Sequence, residues 1–104
     1  MSVVINTPNG NIGRALARIL LDVGESVTVI SRSADKAADL LGRGARLVSG
    51  SLDEPRVLDE ALAGARALFW LTPPTGRPDF VAWGQHVATE AAARARAAGV
   101  QQVV

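Results

Sequence analysis

The residues with the plainest chemical use lie in Thr7-Pro8-Asn9-Gly10-Asn11-Ile12-Gly13-Arg14, and what they offer is main chain rather than side chain. Val3-Val4-Ile5 is an apolar run that breaks into this turn, and the turn runs directly into the helical pattern Ala15-Leu16-Ala17-Arg18-Ile19-Leu20-Leu21. A strand, a glycine turn and a helix N-terminus in that order make an anion site. The first N–H groups of a helix lack intrahelical acceptors, the helix dipole adds positive charge there, and glycines let a pyrophosphate approach the backbone. The dinucleotide-binding fingerprint has three glycines. Gly10 and Gly13 fill two of those places, and Thr7 stands in the third.

A second chemical signal follows the next apolar run. Val27-Thr28-Val29-Ile30 ends in Ser31-Arg32-Ser33. A site preferring NAD(H) places Asp or Glu at such a strand end, to accept from the ribose 2′-hydroxyl. A guanidinium cannot accept, but it suits a 2′-phosphate through charge-assisted hydrogen bonds. Arg32 therefore predicts NADP(H) over NAD(H), with Arg14 as a second basic wall; the plain alternative for Arg32 is a solvated loop charge. His86, the one histidine, reads as a packed or solvated helix residue. The four aromatics are Phe69, Trp70, Phe80 and Trp83. Phe69 reads as core, whereas Phe80 and Trp83 suit either the wall of a flat ligand site or a subunit contact.

The elements that must position these groups alternate strictly. Strands are predicted at 3–5, 27–30, 46–48, 67–71 and from Gln101 onward. The first helix carries Ile12, Leu16, Ile19, Leu20 and Val23 at helical spacing, as an apolar face would, and stops at Gly24. Ser33 is the expected N-cap of a second helix that uses Ala37, Ala38, Leu40 and Leu41. Asp53 is the expected cap of a third, with Pro55 in its first turn and Gly64 at its end. A long alanine-rich helix runs over roughly 79–98, with Glu90 and Arg94 four apart on its exposed side. Strict β-α-β alternation with right-handed crossovers predicts an α/β, doubly wound parallel sheet of order 3-2-1-4-5, cut off in the fifth strand. Ligands bind such sheets beyond the strand C-termini where the order reverses, here between strands one and four.

Composition narrows the field further. With 11 basic and 10 acidic residues among 104, the net charge of +1 gives no reason to invoke nucleic acid or a membrane surface. Cysteine is absent, which excludes disulfides and thiolate chemistry, and no metal site is read. The opening residues lack the basic start of a signal peptide, and no apolar run approaches bilayer length, so a cytoplasmic protein of one domain (1–104) is expected. Tyrosine is also absent, and Lys36 is the one lysine. The Tyr-x-x-x-Lys pair that protonates substrate in typical short-chain dehydrogenases therefore does not occur here.

Taken together, Asn9-Gly10-Asn11-Ile12-Gly13-Arg14, Ser31-Arg32, Gly50-Ser51-Leu52-Asp53 and Ala63-Gly64-Ala65-Arg66-Ala67-Leu68-Phe69-Trp70-Leu71-Thr72-Pro73-Pro74 resemble the NmrA-like atypical short-chain dehydrogenase/reductases. Asp79-Phe80-Val81 and the segment Ala97–Val104 carry the same likeness. It runs over the whole chain but covers the N-terminal part of such proteins. The resemblance implies an NAD(P)-binding Rossmann domain, from either an NADPH-dependent reductase of quinone-like acceptors or a regulator that binds the dinucleotide without turnover. It assigns the pyrophosphate to Gly10, Asn11, Ile12 and Gly13, and the 2′-phosphate to Arg32. Ser51 and Leu52 would border adenine, and Leu71, Thr72 and Pro73 would lie beside the nicotinamide ribose. Thr7 replaces the family's first glycine and Ser51 an aspartate, which predicts a looser turn and weaker adenine recognition.

Three functions stay open at this point. The chain belongs to an oxidoreductase with a small-molecule acceptor, to a dinucleotide-sensing module, or to a fold that has lost binding. One physical expectation accompanies them. Handedness puts the first two helices on one sheet face, over strands one to three. On that face strands four and five have no helix from this chain, so self-association, or cover from a missing C-terminal part, is expected there.

Overall fold

The computed structural model describes residues 2–71 and 78–104. Its strands are β1 (Ser2–Ile5), β2 (Val27–Ser31), β3 (Arg46–Ser49), β4 (Ala65–Phe69) and β5 (Gln102–Val103). Four helices alternate with them: α1 (Asn11–Asp22), α2 (Ala38–Gly42), α3 (Pro55–Leu62) and α4 (Phe80–Ala97). All pairs are parallel and the order is β3-β2-β1-β4-β5, as expected from the alternation. The register sets Ile5 beside Val29 on one side and Phe69 on the other. Among the described residues no helix is long and apolar enough to cross a membrane.

Side-chain alternation divides the core into two layers. Val3, Ile5, Val27 and Val29 meet Ala17 of α1 and Leu40 of α2 on one face. Val4, Ile30, Val48 and Leu68 meet Leu58 and Leu62 of α3 and Ala91 and Ala95 of α4 on the other. The central strands are buried on both faces, which is why they read as unbroken apolar runs rather than alternating ones. Arg94 ties the second layer's helices together. Its guanidinium donates to Asp59 of α3 at 2.6 and 2.7 Å and to Glu90 one turn back at 3.2 Å, so the pair expected on the exposed side is part of a bridge between helices.

The structure corrects the sequence reading in four places. Ile12, Ile19 and Val23 do not face the core; they are 62, 61 and 71% exposed, and α1 meets the sheet through Gly13 and Ala17, with Leu16, Leu20 and Leu21 partly buried beside them. The contact with β1's end is too close for larger residues on that line. Ser33 does not cap an α-helix. Its hydroxyl accepts from Lys36 N–H at 3.3 Å, at the head of a tight turn where Ala37 and Ala38 bond three residues back, and α2 begins only at Ala38. The cap of α3 is Glu54, not Asp53, because Pro55 takes the first helical position. β4 starts at Ala65 rather than Ala67. Gly64, at φ +73°, reverses the chain immediately after α3, and pairing with β1 lapses after Phe69 as β1 turns away.

Candidate functional site

Where β1 and β4 part, a cleft of about 670 Å³ opens over the C-terminal ends of the strands. Asn6 to Gly10 line it from β1, Ile30 to Arg32 from β2, and Gly50 to Asp53 from β3; Leu71 and Trp83 complete it. This is the switch point at which an open α/β sheet takes ligands.

The glycine turn is built by two different demands. A Cβ on Gly13 would overlap the Thr7 carbonyl and come within 3.3 Å of the Thr7 hydroxyl, so α1 can sit against β1's end only with glycine at that point. Gly10 is under no such constraint. Its backbone is extended (φ −81°, ψ 162°), and a Cβ there would have only the Thr7 carbonyl nearby, at 3.7 Å. Gly10 is also the N-cap of α1. No side chain caps this terminus, and the first turn holds no acidic residue. The positive end of the helix dipole is therefore uncompensated where it meets the turn. Thr7, in place of a third glycine, leaves its hydroxyl buried with no hydrogen-bond partner among the described residues.

Hydrogen bonds fix the turn to both neighbouring strands. Asn9 Nδ2 donates to the Ser31 hydroxyl at 3.3 Å; Ser31 in turn accepts from Ser33 N–H at 3.1 Å and donates to the Ser33 carbonyl at 3.0 Å. On the other side, Asn6 Nδ2 donates to the Leu71 carbonyl and Asn6 Oδ1 accepts from Leu71 N–H, both at 2.9 Å.

Arg32 is exposed at the end of β2, lines the cleft, and has no hydrogen bond or ion pair among the described residues. Arg14 behaves differently. Its guanidinium donates to the Lys36 carbonyl at 2.9 Å and lies 3.9 Å from Asp39, so it turns onto α2 and is not part of the cleft lining. At the end of β3, Gly50 has φ +148° and a Cβ there would strike Val57, so glycine is required. Ser51 N–H donates to Glu54 Oε1 at 3.0 Å, its hydroxyl donates to Asp53 at 2.6 Å, and Leu52 is buried beside them.

Of the residues singled out in the sequence, the structure brings Thr7, Asn9, Gly10, Arg32, Ser51, Leu52 and Leu71 to one cleft. Asn11, Ile12 and Gly13 form the first turn of α1 behind it. Thr72 and Pro73 lie outside the described residues. Trp83 reaches the cleft, with the Phe80 ring tilted at 34° and 6.5 Å from it. His86 does not; it borders a smaller hollow of about 200 Å³ between α3 and α4. Asn6, Pro8, Gly50 and Asp53 join the lining without having been singled out as binding residues. The one available signal for Asn6 was an amide closing an apolar strand, where a buried polar group needs partners.

Known proteins agree with this geometry. Photosystem II assembly factor Ycf39 of Cyanophora paradoxa is 37% identical over 78 residues, which is 75% of this chain and 24% of that protein. NAD(P)H azoreductase of Xenophilus azovorans is 38% identical over 64 residues, 62% of this chain and 22% of that one. Among solved structures, triphenylmethane reductase of Citrobacter sp. superposes with a TM-score of 0.79 at 25% identity, covering 99% of this chain and 36% of the reductase. The complex of that reductase with NADP(H) gives 0.76 at 24% identity, with the same coverage of 99% and 36%. The chain thus spans about a quarter of the curated relatives it matches and about a third of the solved reductase. Residues 8–104 match the model of the NAD(P)H-binding family. A match of that extent, on a parallel sheet of this order, makes the chain a member of the NAD(P)H-binding family.

Proposed function

We propose that the cleft binds NADP(H) in preference to NAD(H), as the dinucleotide-binding part of a longer NmrA-like reductase that passes hydride between NADP(H) and a small, flat acceptor. The observation that carries the preference is Arg32: a guanidinium with no partner among the described residues at the end of β2, where an NAD(H) site needs a carboxylate. The bare N-terminus of α1 and the open space at Gly10 suit a pyrophosphate. Ser51 and Leu52 then border the adenine, and Leu71 and Trp83 stand on the side left for the nicotinamide and acceptor. When bound, the nicotinamide supplies the hydride chemistry; the chain's residues bind, orient and shield it. The resemblance to an azoreductase and a triphenylmethane reductase favours flat, conjugated acceptors.

A dinucleotide-sensing module is the second reading. The absence of tyrosine, and a relative named as an assembly factor, favour it. One series of measurements addresses both. Arg32→Ala should weaken NADPH by about 1.5–3 kcal/mol, on the order of 10- to 150-fold, and leave NADH within about threefold. Equal losses for both would assign Arg32 to the adenine or the fold. NADPH oxidation with a panel of quinones and azo dyes, on the full polypeptide, then separates reductase from sensor.

A further inference from the structure

The bidentate contact between Asn6 and Leu71 has a geometry that the glycine-turn reading does not use. The β1–β4 ladder runs Val3–Ala67, Val4–Leu68, Ile5–Phe69, and its last backbone bond, Asn6 N–H to the Phe69 carbonyl, has stretched to 3.4 Å. Beyond it β1 turns into Thr7–Gly10, and Leu71 has no strand partner on that side. The Asn6 amide takes the place of a missing residue. It is 4% exposed, and it gives one donor and one acceptor to the Leu71 carbonyl and N–H, both at 2.9 Å. A primary amide is the side-chain group that mimics a peptide unit in this way, and asparagine is the shorter of the two that carry one.

The consequence is a spacer. A backbone rung would draw β4 against β1 and close the crevice; a rung made from a side chain holds the two strand ends apart at a fixed width. Both Asn6 and Leu71 line the cleft at that point. The phosphates belong at the glycine turn and the 2′-phosphate at Arg32, over β2, so the other half of the dinucleotide falls on the β1–β4 side. We infer that Asn6 is a positioning residue for the nicotinamide half of the ligand, acting through Leu71 and not by touching the adenosine half. This inference rests on the NADP(H) reading given above.

The test uses two ligands and two variants. Asn6→Ala removes the amide, and Asn6→Leu keeps its volume without its hydrogen bonds. Affinities for NADPH and for adenosine 2′,5′-bisphosphate, which lacks the pyrophosphate and the nicotinamide half, are measured by calorimetry alongside thermal melting. Both variants should bind NADPH about tenfold or more weakly and the bisphosphate within about twofold of the parent. Unchanged NADPH affinity would overturn the inference, and so would equal losses for the two ligands, which would make Asn6 a support of the fold alone. Failure of the parent chain to bind either ligand would overturn the NADP(H) reading itself, and the inference with it.

Discussion

α1 and α3 both begin at the C-terminal rim of the sheet, each a few residues after a strand, yet the residues that lead into them differ in charge. α3 opens on Glu54 and Pro55, so one donor is missing from the outset. The Glu54 carboxylate takes Ser51 N–H at 3.0 Å, and Asp53 stands next to it, accepting from the Ser51 hydroxyl at 2.6 Å. α1 opens on Gly10, with neither a side-chain cap nor an acid in its first turn. Neither terminus has a side-chain cap hydrogen bond or an acid within its first turn, but two carboxylates, Asp53 and Glu54, lead directly into α3 and none leads into α1. The positive end of α1 therefore has no acidic neighbour in the turn that leads into it, and Gly10 at that end lines the cleft.

The largest effect that could break this contrast is at Gly13. Gly13→Val must displace α1 from the Thr7 carbonyl, and a loss of roughly 3 kcal/mol or more, up to failure to fold, is expected by denaturant titration. A stable Gly13→Val protein would mean that the helix terminus is not held where it is described. Next comes Gly10→Val. Its extended backbone and open surroundings tolerate a branched residue, so melting should change little while NADPH binding is lost by calorimetry. Normal binding in that variant would put the phosphates elsewhere.

A subtler change brings a carboxylate to the start of α1, where α3 has Glu54 just before it. Ile12 is 62% exposed in the first turn, so Ile12→Glu adds a carboxylate without disturbing the core. The helix should gain about 0.3–1 kcal/mol, while NADPH binds more weakly by roughly five- to tenfold at low salt and by less at high salt. The two effects have opposite signs, which a general disturbance of the fold would not produce.

The smallest effect concerns what holds α1 in place. Arg18 donates to Asp39 of α2 at 2.6 and 2.9 Å and, against a partial opposing effect of burial, keeps that carboxyl below its ordinary value. A carboxyl lowered in this way stabilises the fold above the ordinary aspartate range, ~3.9, and loses that contribution as pH falls through its folded-state value. The difference in Tm between the parent and Asp39→Asn should therefore shrink on acidification below about pH 4. A difference independent of pH would detach Asp39 from the helix pair.

The sheet was legible because its signals are local. Apolar runs of strand length, helical spacing and glycine stops at 24, 64 and 99 each lie within a few residues, and the crossover rule converts them into a strand order. The face of α1 was not legible. Ile12, Ile19 and Val23 have the right period and are apolar, but the line that meets the sheet is chosen by the approach of Gly13 to Thr7, a contact made in space. The cap of α3 failed for a local reason, since Asp53 and Glu54 are both acceptable and only the position of Pro55 in the first turn decides between them. For Asn6 the amide at the end of an apolar strand was visible but its partner was not, because Leu71 lies 65 positions away. The cleft was readable where strand ends carry it, at Gly10, Arg32 and Leu52, and unreadable where side chains join two loops.

One of those joins bears on how fast a ligand enters. The Ser31 hydroxyl holds Asn9 at 3.3 Å and Ser33 at 3.0 and 3.1 Å, so the glycine turn and the Arg32 loop share a single pin. Ordering loops at the moment of binding costs about 0.5–1.5 kcal/mol for each side chain immobilised. A crevice already pinned at that end avoids part of that cost, and its preorganisation shows in kinetics. Mixing with excess NADPH should give one exponential whose rate rises linearly with ligand concentration, without the plateau that a slow rearrangement would impose.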